Sequence, residues 1–409
     1  MEIKNRFSIS AKRMSRSVIR ELLKLANKPD IISFAGGLPS PETFPSEDLL
    51  DITREVMQKS ARVALQYGST EGVLPLRDLL ISFLGKYGFN IKPEELIITT
   101  ASQQSLDLVA KIFIDRSDPI IVENPSYLGA LSAFKTYGCR FLTVDMDEQG
   151  LCTDKLRLQL EELKRTAGEG SQYYQNMPKF IYTIPDFQNP TGITMSLARR
   201  KELLEIASEY DMIIVEDVPY RWLRYQGEEP PMLGAMDTEG RVVNLFTFSK
   251  ILSPGMRLGW VRANPVIIDK IVQAKQATDL CTSPLTQKLA EEFIRRDLLE
   301  KRIAANIELY RHKQEAMMAA LEKYMPKAKG LSWVKPEGGM FLWITLPPEM
   351  DADEMFKEAI DRKVAYVVGS AFYPNGGGHN TMRLNFSYPS EEDIDEGIQR
   401  LAGVVKSRL

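Results

Sequence analysis

The sequence predicts an α/β fold, a mostly parallel sheet sandwiched by helices, followed by a smaller α+β domain. Two observations carry this. From about residue 94 to residue 264, short runs rich in Val, Ile and Phe alternate with helical patterns. From residue 284 onward the pattern changes to long helices, short apolar runs and a last helix. At 409 residues the chain is also long enough for more than one packed unit.

Residues 1–45, which include Phe34-Ala35-Gly36-Gly37-Leu38-Pro39, precede the main pattern and are expected to pack with the small domain or across a subunit boundary. Residues 46–290 read as the large domain. Its apolar runs at 95–99, 119–123, 140–144, 180–184, 212–216 and 242–246 have the length and composition of buried parallel strands. Between them, residues 197–210 show a helical face of Leu203, Leu204 and Ala207. Residues 291–409 read as the small domain. Helices at 284–296 and 301–325 lead into strands at 340–346, 365–368 and 382–386, and Ser390 is placed to cap the final helix.

Composition excludes several classes. A formal net charge of −3 leaves no basic footprint for nucleic acid or an anionic membrane. No apolar run approaches the roughly 20 residues of a membrane span, and the N-terminus lacks a signal-peptide core. The three cysteines, Cys139, Cys152 and Cys281, have no metal or redox spacing and suit a reducing compartment. With only two histidines, His312 and His379, no metal site is expected. Neither G-x-G-x-x-G nor G-x-x-x-x-G-K-[ST] occurs. The expectation is a soluble cytoplasmic protein.

Ligands of open α/β sheets bind at the carboxyl ends of the strands, so the residues that follow each run are informative. After 95–99, Ala101-Ser102-Gln103-Gln104 opens a helix whose free N–H groups suit an anion, although Ser102 could simply cap it. After 119–123 comes Tyr127, a flat face for an aromatic ligand or an ordinary packed tyrosine. After 180–184 comes Asn189-Pro190-Thr191-Gly192, good turn chemistry in which Asn189 could also bind a phenolic oxygen. After 212–216 comes Asp217, either a helix cap or a carboxylate awaiting a cation such as a pyridinium nitrogen. After 242–246 come Thr247, Ser249 and Lys250, with Arg257 seven residues on. The Lys250 amine can condense with an aldehyde, and the hydroxyls and Arg257 can hold a phosphate. These strand ends together suit one cofactor, pyridoxal 5′-phosphate.

The ordered series Asn189-Pro190-Thr191-Gly192, Asp217-x-x-Tyr220 and Ser249-Lys250 with Arg257 resembles the class I/II aminotransferases of fold type I. Ser17-Val18-Ile19-Arg20-Glu21-Leu22, Phe34 to Pro39, Leu65-Gln66-Tyr67 and Ser102-Gln103-Gln104 resemble most the branch of 2-aminoadipate aminotransferases and kynurenine aminotransferase II. The resemblance implies a homodimeric transaminase that handles an amino acid and a 2-oxo acid. In it Lys250, Asp217 and Tyr127 are catalytic, and Ser102, Gln103, Asn189, Tyr220, Thr247, Ser249, Arg257 and Tyr67 join them in binding the cofactor. Tyr67 would reach the phosphate of the neighbouring subunit. Arg383 would clamp the substrate α-carboxylate, with Gly37 and Asn189 beside it, and Arg20 would meet the distal carboxylate of acidic substrates. Two positions depart from the branch: Ala101 stands where glycine is usual, and Thr247 where serine is common. A lyase or decarboxylase using the same cofactor remains the alternative on this fold, and an aminotransferase-like regulator is the alternative of another class.

Overall fold

The computed structural model describes residues 2–14 and 30–409. In chain order the described strands are β1 (Ile32–Ser33), β2 (Leu96–Thr99), β3 (Pro119–Asn124), β4 (Arg140–Asp147), β5 (Gly150–Leu151), β6 (Phe180–Thr183) and β7 (Ile213–Val218). They continue with β8 (Val242–Thr247), β9 (Gly259–Arg262), β10 (Ser332–Trp333), β11 (Phe341–Thr345), β12 (Val364–Ala365), β13 (Val367–Val368) and β14 (Thr381–Asn385).

The large sheet has eight strands in the order β2-β9-β8-β7-β6-β3-β4-β5. From β8 to β4 all neighbours are parallel, while β9 runs antiparallel to both β2 and β8. Every residue of β2, β6 and β8 is buried, as a parallel sheet covered on both faces requires. Alternation decides which cover each side chain meets. Ile121, Ile181, Ile214 and Val242 pack under Leu156 and Leu160 of helix Thr153–Ala167 and Leu203 and Ile206 of helix Leu197–Glu209. Their neighbours Val122, Phe180, Tyr182 and Val215 face the opposite cover, with Val109 of helix Ala101–Phe113 and Phe134 of helix Leu128–Tyr137.

All six strands expected in the large domain are present. Strand β9 was not expected, because Trp260-Val261 between Gly259 and Arg262 is too short an apolar run to stand out. Only its insertion between β2 and β8 buries it.

The C-terminal part holds a four-stranded antiparallel sheet in the order β10-β11-β14-β13. Helix Glu391–Lys406 packs beside it and is capped as expected, the Ser390 hydroxyl accepting from the Asp393 N–H at 3.1 Å; such a cap is worth about 1 kcal/mol. The N-terminal segment joins this part: β1 pairs in parallel with β12, and the Asn385 N–H donates to the Phe34 carbonyl at 2.8 Å. Helix Leu298–Tyr324 spans both regions, Asn306 donating to the Lys250 carbonyl at 3.3 Å and Gln314 to that of Pro336 at 3.2 Å.

Candidate active site

The strand order reverses between β3 and β6: the chain runs outward from β3 to β4 on one side, and from β6 through β7 to β8 on the other. The crevice at such a reversal is where open α/β sheets bind ligands. Its floor is assembled from the residues that leave β2, β3, β6, β7 and β8.

At one end, helix Ala101–Phe113 presents an N-terminus with no side-chain cap, so its first N–H groups stay free for an anion. Thr100, not Ser102, holds the capping position. Ala101 adopts φ 62°, the left-handed region that favours glycine. An alanine here therefore carries a backbone cost that glycine would not. Opposite, Gly259 of β9 pairs with Thr247 of β8, and a Cβ on it would sit 3.0 Å from the Ser102 nitrogen. Only glycine lets β9 pass this close to the helix end. Thr247 and Ser249 share a hydroxyl hydrogen bond of 2.9 Å, and Arg257, exposed at φ 51°, completes this end. Gln103 donates to the Gly129 carbonyl at 3.1 Å, tying the helix start to the one that follows Tyr127.

At the other end lies Arg383. It comes from β14 and is 1% exposed, so it is not a surface strand arginine. Its guanidinium stacks on Phe341 at 4.2 Å and Phe372 at 5.2 Å, and donates to Asn189 Oδ1 and the Ala35 carbonyl, both at 2.9 Å. Asn189 in turn donates to the Tyr220 hydroxyl at 3.3 Å. Between the two ends, the half-buried Lys250 places its amine 2.8 Å from the Gly37 carbonyl. Burial first, then the charges of Arg383 and Arg257, hold that amine below the usual lysine range, at about 8.

Asp217 lies inside β7, so it caps no helix. It is 2% exposed; Oδ2 accepts from the Tyr182 hydroxyl at 2.8 Å, whereas Oδ1 has no partner among the described residues. Burial pushes its carboxyl up to about 7. The same burial, with the charge of Asp217 second, pushes the Tyr127 phenol up to about 12. A buried carboxylate oxygen without a donor asks for a cationic N–H, and a protonated pyridine nitrogen is one. The floor as a whole fits pyridoxal 5′-phosphate, offering an anion site, an amine and this unpartnered carboxylate oxygen.

Residues 30–401 match the family model for aminotransferase class I and II. The chain belongs to the class I and II aminotransferases. It is 48% identical to aromatic-amino-acid aminotransferase 1 of Thermococcus litoralis, across 98% of this chain and 94% of that protein. Among solved structures it superposes on Pyrococcus horikoshii kynurenine aminotransferase in complex with PMP at a TM-score of 0.94, with 47% identity over 100% of this chain and 98% of that one. LysN, the α-aminoadipate aminotransferase of Thermus thermophilus, complexed with N-(5′-phosphopyridoxyl)-L-leucine, superposes at 0.90 with 40% identity, over 100% and 99% of the two chains. This aminotransferase is therefore a fold type I transaminase, and its cofactor is pyridoxal 5′-phosphate.

Of the expected site residues of this aminotransferase, Ser102, Gln103, Tyr127, Asn189, Asp217, Tyr220, Thr247, Ser249, Lys250, Arg257, Arg383 and Gly37 converge on the crevice. Tyr67 stands apart, 79% exposed on the surface of the single chain. Arg20 lies outside the described residues. Sequence reasoning passed over Tyr182, whose hydroxyl engages Asp217, because a tyrosine inside an apolar strand carries no polar signal. It also passed over Glu123, which lies one residue before the end of β3, fully buried, and accepts from Gln188 Nε2 at 3.0 Å and from Thr183. A charged residue closing an otherwise apolar run was the available signal. No described helix is long and apolar enough to cross a membrane.

Proposed function

We propose that this aminotransferase passes the amino group of an L-amino acid (2-aminoadipate, aromatic or branched-chain) to a 2-oxo acid such as 2-oxoglutarate, in two half-reactions of ping-pong type. The buried Asp217 oxygen, unpartnered among the described residues, is the observation that carries this reading. Bound pyridoxal 5′-phosphate supplies an aldehyde for amines and a ring that accepts the electron pair left at Cα. The chain's own residues do the rest. Lys250 holds the cofactor and, once released, takes the Cα proton; an amine at about 8 is a better base near neutrality than a free lysine at ~10.4. Asp217 keeps the ring nitrogen protonated, with Tyr182 holding the carboxylate in place. Tyr127 lies against the ring, and Asn189 and Tyr220 meet its phenolic oxygen. Ser102, Gln103, Thr247, Ser249 and Arg257 hold the phosphate. Arg383 takes the α-carboxylate bidentately, beside Asn189 and Gly37.

A panel of amino donors with 2-oxoglutarate tests the reaction. Stoichiometric 2-oxo acid and glutamate are expected; carbon dioxide or ammonia in place of glutamate would overturn it.

Arg20 sets the preference for acidic donors in this reading, because the Ser17 to Leu22 segment resembles the 2-aminoadipate branch, in which the matching arginine meets the distal carboxylate. Losing one charge-assisted pair costs roughly 1.5–3 kcal/mol, about ten- to a hundredfold in kcat/KM. Arg20→Ala should impose that loss on 2-aminoadipate and glutamate and leave leucine and phenylalanine nearly unchanged. Equal losses on both groups would make Arg20 structural.

The working unit is a homodimer in this reading, with Tyr67 entering the partner's site. Val63, Leu65 and Tyr67 are each more than half exposed on the single chain, an apolar edge suited to a partner. Mixing an inactive Lys250→Ala protein with an impaired Tyr67→Ala protein should restore part of the activity through hybrid dimers. A fully active monomer in sedimentation would contradict the shared site. The unpaired Cys139, Cys152 and Cys281 favour a reducing, cytoplasmic location, and the reaction itself suits amino-acid biosynthesis.

A further inference from the structure

Behind the crevice floor, one buried carboxylate gathers three arginines. Asp186, 2% exposed, lies just past β6 and three residues before Asn189. Arg200 Nη2 approaches it at 2.7 Å, Arg221 Nη1 at 3.2 Å and Arg224 Nη2 at 3.5 Å. Their side chains are 0%, 3% and 11% exposed. Arg200 belongs to helix Leu197–Glu209 and also donates to the carbonyls of Met195, Pro185 and Pro231, which fasten it to the backbone. Arg221 and Arg224 belong to the segment that directly follows Tyr220. Arg221 also donates to the Pro230 carbonyl at 2.8 Å and pairs with Glu229 at 3.0 Å. Arg224 pairs with Glu337 at 3.0 Å and stacks on Phe187 at 4.6 Å.

Buried ion pairs add little stability over apolar packing of the same volume. A cluster of this size is therefore poorly explained as a means of holding the fold together. What it supplies is direction, since guanidinium–carboxylate bonds fix both the spacing and the orientation of the elements that carry them. Here those elements are two loops. One carries Asn189 and the other Tyr220, and the two side chains touch at 3.3 Å with Arg383 on the far side of Asn189.

We propose that Asp186 is a positioning residue, strapping the Asn189 loop to the Tyr220 segment through Arg221 and Arg224 so that both side chains meet the ring oxygen at one spacing. This rests on the reading of Asn189 and Tyr220 given above. Asp186 touches neither cofactor nor substrate; it acts through those two residues.

The test uses the cofactor-loaded enzyme and reads the position of the visible band and the dissociation constant of pyridoxal 5′-phosphate. Asp186→Asn removes the hub. Arg221→Met removes the hydrogen-bonded arm of the strap and leaves Arg200 and Arg224 as counter-ions to Asp186, a milder change than loss of the hub. Each should shift the band and raise the dissociation constant about tenfold, the scale of one charge-assisted hydrogen bond. Adding Arg221→Met to the double variant Asn189→Ala/Tyr220→Phe should then change neither reading further, because the strap acts through two side chains whose polar groups are already gone. If Arg221→Met lowers only the Tm, or its effect simply adds to that of the double variant, the positioning role is wrong while the site reading stands. If Asn189→Ala itself moves neither band nor dissociation constant, the site reading falls and the strap with it.

Discussion

Replacing Lys250 by alanine should abolish transamination, with a loss larger than the roughly 10²–10⁴ expected of a simple acid–base residue. The reason, in the proposed reading, is that one amine serves both as covalent anchor and as base, its pKa lowered by burial and by the charges of Arg383 and Arg257. The purified variant should lack the visible band that the lysine-bound cofactor gives the wild type. Near-normal turnover would remove the whole assignment. A second measurement separates chemistry from folding. With its folded value lowered to about 8 from ~10.4 in the unfolded chain, Lys250 opposes folding below pH 8. In the window between those values the unfolded chain binds more protons, so stability rises with pH. The cofactor-free alanine variant should therefore gain Tm over cofactor-free wild type below pH 8, and the gain should shrink as pH rises through that window.

Asp217→Asn should leave the cofactor bound but slow Cα proton removal by at least the ~10²–10³ that one preorganised electrostatic partner is worth. Asparagine keeps the size and the contact with Tyr182 but cannot hold a ring nitrogen protonated. Single-turnover absorbance reads the step directly, and an unchanged rate would dismiss the electron-sink role. Stability should move the other way. Burial raises the folded carboxyl to about 7 against ~3.9 unfolded, so between these values the folded chain binds more protons and stability falls as pH rises. Cofactor-free Asp217→Asn should thus melt above cofactor-free wild type at pH 8, by an amount on the order of 4 kcal/mol at ~1.4 kcal/mol per pH unit, and lose that advantage near pH 4. A variant that is less stable at pH 8 would show that the carboxylate is already compensated.

Much of the site was legible along the chain because a parallel α/β sheet places ligand residues directly after its strands. Lys250, Asp217, Asn189 and the Ser102 helix start each follow an apolar run that can be recognised locally, and all four arrive at one crevice. Arg383 was singled out by the resemblance, and its apolar neighbours in Met-Arg-Leu-Asn-Phe argued against an exposed strand arginine. Ser390 announced its helix by capping chemistry alone.

Other features had no local signal. Strand β9 is a two-residue apolar run until β2 and β8 enclose it. Tyr182 and Glu123 look like members of buried strands, and only their neighbours across the sheet turn them into partners of Asp217 and Gln188. The choice between cap and ligand at Asp217 could not be made from composition, since it depends on whether β7 runs past the residue. What the sequence by itself determined is the fold class, the cofactor and the strand-end residues that meet at the crevice, because periodicity and strand-end residues are local properties. The tertiary structure alone decided that Ala101 sits at positive φ beneath Gly259, that Asp217 keeps one oxygen unpaired, and that Asp186 draws together arginines from different segments. Those follow from which segments lie against one another, and burial makes such contacts costly to leave unsatisfied.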